Sequence, residues 1–326
     1  MKRRDFLSAA VTALGPVTFS AAQAQAWPVK PITWVYPYAA GGGGDPIARV
    51  LAEGLTRRLG QTVILENRTG AAGMIGAGSV ARAPADGYTF LFGVSGEIAI
   101  NQWLYKKMPY DPQKDFAPVC LLMKLPLLLV ANPGTHIRTV AELIARAKEP
   151  DRKLTFASAG SGSLQHLAAE LLQSMAGIKM THIPYRGIAA ATNDLLAGTV
   201  DVGFVGLPTA LPHVRSGQLI AIGLSTIKRA AAAPDLATLA SSPALRGFDL
   251  TQWFGLLAPT GTPPPIIQRM HDEIAAVMDE TQVKARLFAQ GFEPALDTPA
   301  QFGEFIQAER ARYGRIVRDA GVTVES

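Results

Sequence analysis

Hydrophobic and polar positions after residue 26 alternate between strand-like and helix-like segments. The first unit is a β-branched and aromatic run at Ile32–Tyr36, a glycine-rich turn and an amphipathic stretch at Pro46–Leu59. Asp45 is a favourable N-cap for this stretch, and Pro46 takes the first helical position, where proline is well tolerated. Strands separated by helices are typical of parallel sheets with right-handed crossovers, so the pattern predicts an α/β fold. The other predicted strands are 62–66, 88–92, 154–157, 180–183, 200–205 and 219–224. A small-residue helix is predicted to end at Ala83, and the remaining predicted helices are 140–148, 163–176, 189–197, 208–216, 264–279, 281–290 and 299–320.

Two longer apolar segments, Val119–Ala131 and Thr251–Pro259, interrupt this alternation. If both segments cross between lobes, residues 126–249 form a second lobe inserted into a first lobe of residues 27–125 and 250–326. Proteins that hold a ligand in a cleft and close by hinge bending are often built this way. A single large doubly wound domain is the alternative that the pattern leaves open.

The N-terminal segment has the features of an export signal. A basic cluster at Lys2 to Arg4 precedes a stretch without any charged residue, residues 6–26, which ends in small-x-small triplets. We therefore predict that residues 1–26 are a secretory signal peptide and that the mature protein is periplasmic. The pair Arg3-Arg4 also fits a twin-arginine signal, so ordinary secretory export and twin-arginine export both remain open.

Composition and charge exclude several classes of protein. The chain has 326 residues, of which 48% are hydrophobic and 17% are charged, which is enough apolar material for two packed cores. Cys120 is the single cysteine, so an internal disulfide and a cysteine-rich metal site are excluded. The formal net charge of +5 is not gathered into a basic patch with aromatic residues after the signal, so we predict no nucleic-acid partner.

Motifs that bind cofactors or metals are not found in the sequence. The run Gly41–Gly44 lacks the Gly-Lys-Ser/Thr ending of a phosphate-binding loop, and the glycines at 73, 76 and 78 reverse the order of a dinucleotide fingerprint. None of the five histidines has the spacing of a zinc motif. We therefore predict neither a cofactor nor a metal ion.

A serine hydrolase is the enzymatic alternative. The run Phe156-Ala157-Ser158-Ala159-Gly160 approximates a nucleophile elbow without its first glycine. Asp201 and His213 follow Ser158 in the order of an α/β-hydrolase triad, but no loop that could supply an oxyanion hole is recognisable. We expect no catalytic residue, and Ser158 is the candidate nucleophile of this alternative alone.

One arrangement recurs three times: the end of a strand, a run of Gly, Ala or Ser, and the start of a helix. It occurs at residues 37–45, 93–97 and 157–163. Parallel strands bring such loops to one edge of a sheet, where open α/β folds bind their ligands. Unpaired N–H groups at helix N-termini favour anions. We therefore expect two loops of the first lobe and one of the second to hold an anion such as a carboxylate.

Longer motifs extend over essentially the whole mature chain. They are Trp27-Pro28-x-Lys30-Pro31-Ile32, Pro37-Tyr38-x-x-Gly41-Gly42, Glu66-Asn67-Arg68, Gly76-Ala77, Asp86-Gly87-Tyr88-Thr89, Tyr110-Asp111-Pro112-x-Lys114-Asp115-Phe116, Ser158-Ala159-Gly160-x-Gly162-Ser163-x-x-His166-Leu167, His182-x-Pro184-Tyr185-Arg186-Gly187, Leu195-Leu196-x-Gly198-x-Val200-Asp201, Leu207-Pro208-x-Ala210-Leu211-Pro212-His213 and Trp253-Phe254-Gly255-Leu256-Leu257-Ala258-Pro259. In this order they resemble the Bug family of extracytoplasmic solute receptors, also called TctC-type, which serve tripartite tricarboxylate transporters.

The resemblance implies a periplasmic-binding, Venus flytrap fold in which two α/β lobes are joined by two crossing strands. It also implies a receptor without catalytic activity that captures a small carboxylated metabolite, or a related amide, for the membrane permease subunits of such a transporter. We expect a monomer, because no coiled coil or repeat is evident. A receptor that reports ligand status to a signalling partner is the alternative.

In the family, the ligand is held mainly by backbone amides and bridging waters from loops of both lobes. Two positions of this chain depart from the pattern of many relatives. Val205-Gly206 stands where they carry an acidic residue and an amide, which argues against an amine-bearing ligand, and Glu97 replaces a small or amide residue. The ligand-binding residues that the resemblance implies are Tyr38, Ala40, Gly41, Gly42, Asp45, Val94, Ser95, Gly96, Glu97, Ser158, Gly160, Gly162, Ser163, His166, Tyr185, Val205 and Leu207.

Overall fold

The computed structural model describes residues 27–41, 43–150 and 153–322. The predicted signal peptide and Gly42 therefore lie outside the described residues. The strands are β1 (Ile32–Tyr36), β2 (Val63–Asn67), β3 (Thr89–Val94), β4 (Phe116–Ala131), β5 (Thr155–Ser158), β6 (Thr181–Pro184), β7 (Val202–Gly206), β8 (Ile220–Leu224), β9 (Thr251–Pro259) and β10 (Glu293–Pro294). The helices are α1 (Asp45–Leu59), α2 (Met74–Ala81), α3 (Asn101–Leu104), α4 (Val140–Ala147), α5 (Leu164–Ala176), α6 (Ile188–Ala197), α7 (Leu207–Arg215), α8 (Pro264–Asp279), α9 (Thr281–Ala289) and α10 (Pro299–Ala320).

The strands form one mixed sheet in the order β2-β1-β3-β9-β4-β7-β5-β6, with β8 and β10 also paired to β4. β1 is parallel to β2 and β3, and β5 is parallel to β6 and β7. β4 and β9 run antiparallel to each other and to their other neighbours. The predicted α/β class is confirmed, and the two long apolar strands form the antiparallel centre of the sheet.

β4 changes its partners about two thirds of the way along its length. Residues Phe116–Pro126 pair with β9, whereas residues Leu127–Ala131 pair with β7 and β8. We call the strands before this change, β1 to β3, β9 and β10, the first half-sheet, and β5 to β8 the second half-sheet. β4 connects the two, so the chain enters the second half-sheet at Leu127.

A continuous apolar core extends across both half-sheets. Leu121 in the first part of β4 and Leu129 in the second belong to one cluster of buried side chains. That cluster also contains Phe302 of α10 and Leu167 of α5, and these two helices pack against each other. Fully burying a side chain such as leucine contributes about 1.5–3 kcal/mol. The C-terminal helix therefore packs on β4 and also touches a helix of the second half-sheet.

The ends of the longest helix follow from local sequence signals. Thr298 accepts a hydrogen bond from the Gln301 N–H, and the Gln301 side chain accepts one from the Thr298 N–H, which is a capping box. Gly321 ends α10 in the left-handed conformation, with φ of 63°. In the part of the chain that the structure describes, no helix combines the length and apolar character needed to cross a membrane.

The contact between β9 and α10 predicts the effect of two glycine substitutions. A Cβ atom on Gly255 of β9 would overlap the Phe302 ring, whereas a Cβ on Gly303 of α10 would have Pro118 Cγ as its nearest neighbour, at 3.6 Å. We expect Gly255→Ala to destabilise the fold by about 1–3 kcal/mol through overpacking. Gly303→Ala should instead be neutral or stabilising by about 0.5–1 kcal/mol, because alanine favours helix.

Urea unfolding followed by circular dichroism measures both free energies of unfolding. Equal stability of the two variants would contradict the close approach of β9 and α10.

Candidate ligand-binding site

One loop from each half-sheet begins near the middle of β4. Val94, the last residue of β3, pairs with Phe254, which pairs in turn with Met123 of β4. Gly206, the last residue of β7, pairs with Leu127 of β4. The loops after β3 and β7 therefore begin a few residues apart along β4, one from each half-sheet.

The loop between β1 and α1 is organised by the carboxylate of Asp45. This carboxylate accepts hydrogen bonds from the Gly41 N–H at 3.1 Å and from Asn67 Nδ2 at 3.0 Å. Arg49 Nε and Nη2 donate to its two oxygens at 3.0 and 3.1 Å. Asn67 also donates to the Tyr38 carbonyl oxygen at 2.9 Å. Burial would raise the pKa of Asp45, but the bonds from Arg49, Asn67 and Gly41 outweigh it and hold the pKa below its usual value.

Two further predicted residues of this loop, unlike Asp45, are exposed to solvent. Ala40 and Gly41 are exposed, so their backbone faces open space. Gly41 adopts φ of 76°, a left-handed conformation that favours glycine. The N–H of Gly41 donates to Asp45, so one of the donors that the sequence analysis expected for an anion is used by the protein's own carboxylate.

Glu97 is the centre of the loop after β3. The Val94 N–H donates to Glu97 Oε1 at 2.6 Å, and the Tyr38 hydroxyl donates to Oε2 at 2.9 Å. The Tyr110 hydroxyl donates to the Glu97 carbonyl oxygen at 2.7 Å. The residue is 0% exposed, so its carboxyl group ties the loops after β1 and β3 together and does not face open space.

Burial raises the pKa of Glu97 to about 8, and the hydrogen bonds from Val94 and Tyr38 only partly oppose this. The neighbouring predicted residues leave little room beside the carboxyl group. Ser95 is 1% exposed, and a Cβ atom on Gly96 would lie 2.9 Å from the Tyr38 hydroxyl oxygen. Gly96 begins a π-helical turn, Gly96–Ile100, that sequence reasoning did not predict.

The loop between β5 and α5 carries no carboxylate of its own. Ser163 caps α5 by accepting a hydrogen bond from the His166 N–H at 3.3 Å. The Gly162 N–H donates to His166 Nδ1 at 3.0 Å, which leaves the ring proton on Nε2, 3.6 Å from Glu170 Oε1. Gly160 adopts φ of 128° and its N–H donates to Ser158 Oγ at 3.1 Å. The His166 ring thus holds this loop in place by accepting the Gly162 N–H.

His182 is a residue of this region that sequence reasoning did not select. Its Nε2 lies 2.7 Å from Ser158 Oγ, and its ring stacks on His166 with centroids 3.9 Å apart. Burial, together with the nearby His166, lowers the pKa of His182 to about 4, so the ring is neutral at pH 7. In the sequence, His182 belongs to the motif that also contains Tyr185, but it lies sixteen residues after His166, and nothing in the local pattern indicates that the two rings stack.

The remaining predicted residues lie at the loops after β6 and β7. The Tyr185 hydroxyl donates to Asp194 Oδ2 at 2.7 Å, and the Tyr185 N–H donates to the Ser158 carbonyl oxygen at 3.1 Å. Val205 and Leu207 are 0% exposed and pack in a core cluster of the second half-sheet. Their side chains are thus enclosed, and only the backbone between them can face a ligand.

The triad of the hydrolase alternative is not assembled. The Asp201 carboxylate accepts hydrogen bonds from the N–H and hydroxyl of Thr155, and His213 Nδ1 lies 3.0 Å from Gln218 Oε1. The histidine beside Ser158 is His182 instead. In the residues that the structure describes, no group of histidine, cysteine or acidic side chains could hold a metal ion.

A separate groove of about 460 Å³ lies at the outer edge of the second half-sheet. It is formed by the start of α4, by β8 and by residues 235–242. None of the predicted ligand-binding residues lines this groove, and the glycine-rich loops do not contribute to it.

Comparison with known proteins places the chain in a family. The model of the tripartite tricarboxylate transporter family receptor matches residues 47–322. The chain belongs to this family. Protein BugT of Bordetella pertussis is 36% identical over 93% of the chain and 93% of its own length. A protein of Pseudomonas sp. strain P51, described by its place between tcbD and tcbE, is 33% identical over 97% of the chain and 94% of its own length.

Solved structures of the same type are similar over most of the receptor. Rpa4515 of R. palustris, described with adipate, is 34% identical and has a TM-score of 0.85 over 91% of this chain and all of its own. MatC of Rhodopseudomonas palustris, with bound malate, is 32% identical and has a TM-score of 0.79 over 89% of this chain and all of its own. The family resemblance read from the motifs is confirmed. These proteins are solute-binding receptors and not enzymes, so the hydrolase alternative is wrong.

The buried carboxyl group of Glu97 predicts a pH dependence of stability. Its pKa of about 8 in the folded receptor exceeds the value near 4.5 of an exposed glutamate. The folded state therefore binds more protons than the unfolded state between these two values, and stability falls as pH rises through that window. The loss is at most about 1.4 kcal/mol per pH unit from this group.

We expect Glu97→Gln to remove this part of the pH dependence, since the amide is neutral and keeps an acceptor for the Val94 N–H. Chemical unfolding at pH 5, 6, 7 and 8 compares the two proteins. A wild type and a variant with parallel pH profiles would show that Glu97 does not titrate in this window.

Proposed function

We propose that the receptor is periplasmic and captures a small organic acid between two lobes for delivery to the membrane permease subunits of a tripartite tricarboxylate transporter. The first lobe consists of residues 27–125 and 250–326, and the second of residues 126–249. The observation that carries the proposal is the likeness to Rpa4515, which has a TM-score of 0.85 and is described with adipate. The receptor works as a monomer, and residues 1–26 act as its export signal.

The ligand site consists of the loops that follow the strands of both half-sheets, and its residues are those that the family motifs imply. Among them, Glu97, Val205 and Leu207 are 0% exposed, so their side chains support the loops and do not reach the ligand. The two lobes contribute unequally to binding a negative charge. Carboxyl groups of the receptor itself already take N–H donors in both loops of the first lobe, from Gly41 to Asp45 and from Val94 to Glu97. In the loop Ser158–Ser163, the Gly160 and Gly162 N–H groups donate only to neutral acceptors, Ser158 Oγ and His166 Nδ1. No carboxyl group of the receptor therefore competes with a ligand carboxylate in this loop, so the carboxylate binds here and the less polar part of the ligand lies against the first lobe.

This arrangement favours acids whose charge is at one end. A second carboxylate facing the first lobe would find the Gly41 and Val94 N–H groups already occupied by Asp45 and Glu97. The segment Val205-Gly206 offers no acid for an ammonium group, so amino acids are poor candidates. Monocarboxylates, aromatic acids and related amides fit best.

Thermal unfolding of refolded, ligand-free receptor against adipate, malate, benzoate, aspartate and benzamide tests the proposed function. A ligand at about 100 times its Kd adds about 2.7 kcal/mol to the free energy of unfolding. For a chain of this size, that raises the midpoint by several degrees. We expect a shift from at least one carboxylate and none from aspartate. A panel without any shift would contradict capture of organic acids, and a response to aspartate would contradict the argument from Val205.

A glycine substitution in the second lobe tests where the carboxylate binds. Gly160→Ala forces a side chain onto a backbone with φ of 128° and places its Cβ 3.3 Å from the Tyr185 carbonyl oxygen. We expect at least about a tenfold loss of affinity, or 1.4 kcal/mol, for the acid with the largest thermal shift. Isothermal titration calorimetry measures the Kd.

Gly177→Ala is the matched control, because Gly177 ends α5 with φ of 60° and has open space around its Cβ position. It should cost about 1 kcal/mol of stability and leave the Kd unchanged. Equal losses of affinity in both variants would mean that the carboxylate does not depend on the loop at Gly160.

A further inference from the structure

Ser225 lies where the chain passes between the two half-sheets. It follows the last residue of β8 and is 0% exposed. The chain enters the second half-sheet at Leu127 of β4 and leaves it at Leu250, just before β9 begins at Thr251. Ser225 contacts both of these connecting segments.

Four hydrogen bonds join Ser225 to the two segments. Its N–H donates to the Leu127 carbonyl oxygen at 2.9 Å, and its hydroxyl oxygen accepts from the Leu127 N–H at 3.0 Å. Its carbonyl oxygen accepts from the Leu250 N–H at 2.8 Å, and its hydroxyl donates to the Leu250 carbonyl oxygen at 2.6 Å. All backbone polar groups of Leu127 and Leu250 are thus satisfied by one residue.

The geometry explains why a hydroxyl is needed at this position. Leu128 pairs with Leu224, so Leu127 and Ser225 are the next opposed residues of two antiparallel strands. In such a pair, the carbonyl of one residue normally accepts from the N–H of the other. Here the Ser225 carbonyl is used by Leu250, and the hydroxyl takes its place as the acceptor for Leu127. Without it, a buried N–H and a buried carbonyl would lose a partner, at a substantial cost.

Side chains of the first lobe also form hydrogen bonds with the second connecting segment. Tyr313 of α10 donates its hydroxyl to the Thr251 carbonyl oxygen at 3.2 Å, and Arg312 Nη2 donates to the Asp249 carbonyl oxygen at 2.7 Å. The last pair between β4 and β9 is Pro126 with Thr251. β4 therefore leaves its first partner at this pair, one residue before the hydrogen bonds of Leu127 to Ser225.

We propose that Ser225 is a positioning residue for ligand capture, which fixes both connecting segments to the second lobe so that the lobes turn at the pair Pro126 and Thr251. The link between this movement and ligand capture rests on the proposed function. Its test needs no ligand, so a panel of acids without any response leaves it open to an independent result.

Distances between spin labels report how freely the lobes move. Glu53 of α1 and Asn193 of α6 are exposed, one in each lobe, and their replacement by cysteine gives two labelling positions. Cys120 is buried and does not compete for the label. Pulsed electron paramagnetic resonance on the ligand-free receptor then gives the distribution of interlobe distances.

We expect Ser225→Ala to widen this distribution to at least twice its width in the otherwise unchanged receptor. Thr262→Val is the matched control, since it removes another buried hydroxyl, which donates to the Pro259 carbonyl oxygen at 2.8 Å in the first lobe. Both variants should unfold at a lower temperature, but the control should keep the narrow distribution.

An unchanged width in Ser225→Ala, or equal widening in both variants, would overturn the proposal. If Ser225→Ala does not fold, Ser225→Cys serves instead, because a thiol has nearly the same shape and makes weaker hydrogen bonds. The same criterion then applies: widening relative to Thr262→Val supports the hinge role, and equal widths contradict it.

Discussion

The structure depends on one strand that belongs to both half-sheets. β4 pairs with β9 up to Pro126 and with β7 and β8 from Leu127 onwards. Because strands of both half-sheets are aligned by their pairing with β4, directly or through β9, the loops that follow β3 and β7 begin near its middle. The place of the proposed ligand site and that of the proposed hinge are therefore consequences of the same pairing.

Carboxyl groups inside the first lobe determine its electrostatic character. Asp45 stays ionised because Arg49, Asn67 and Gly41 donate to it, whereas Glu97 lies in a fully buried site with only neutral donors. Both groups take N–H donors that a bound anion would otherwise use. In a loop with the composition of an anion site, the N–H donors can thus be occupied by the protein's own carboxyl group. Fewer N–H donors are then available to a ligand.

Most regular elements could be predicted because each is specified locally. The limits of β1, α8 and α10 follow from apolar periodicity, proline at the first turn and capping residues, and the structure has them where the pattern places them. The π-helical turn Gly96–Ile100 and the short β10 were missed. Their geometry is imposed by contacts with distant segments, such as the hydrogen bond from Tyr110 to Glu97, and a local pattern carries no record of these contacts.

The sequence by itself determined the α/β class, the family and the loops that would follow the strands, since burial periodicity and turn chemistry are properties of neighbouring residues. Only the tertiary structure decided what the polar side chains do. It turned Asp45 and Glu97 inward, stacked His182 on His166 and set Ser225 between two connecting segments. Hydrogen bonds act over about 3 Å, so their partners are fixed only when strands far apart in the chain have been brought together.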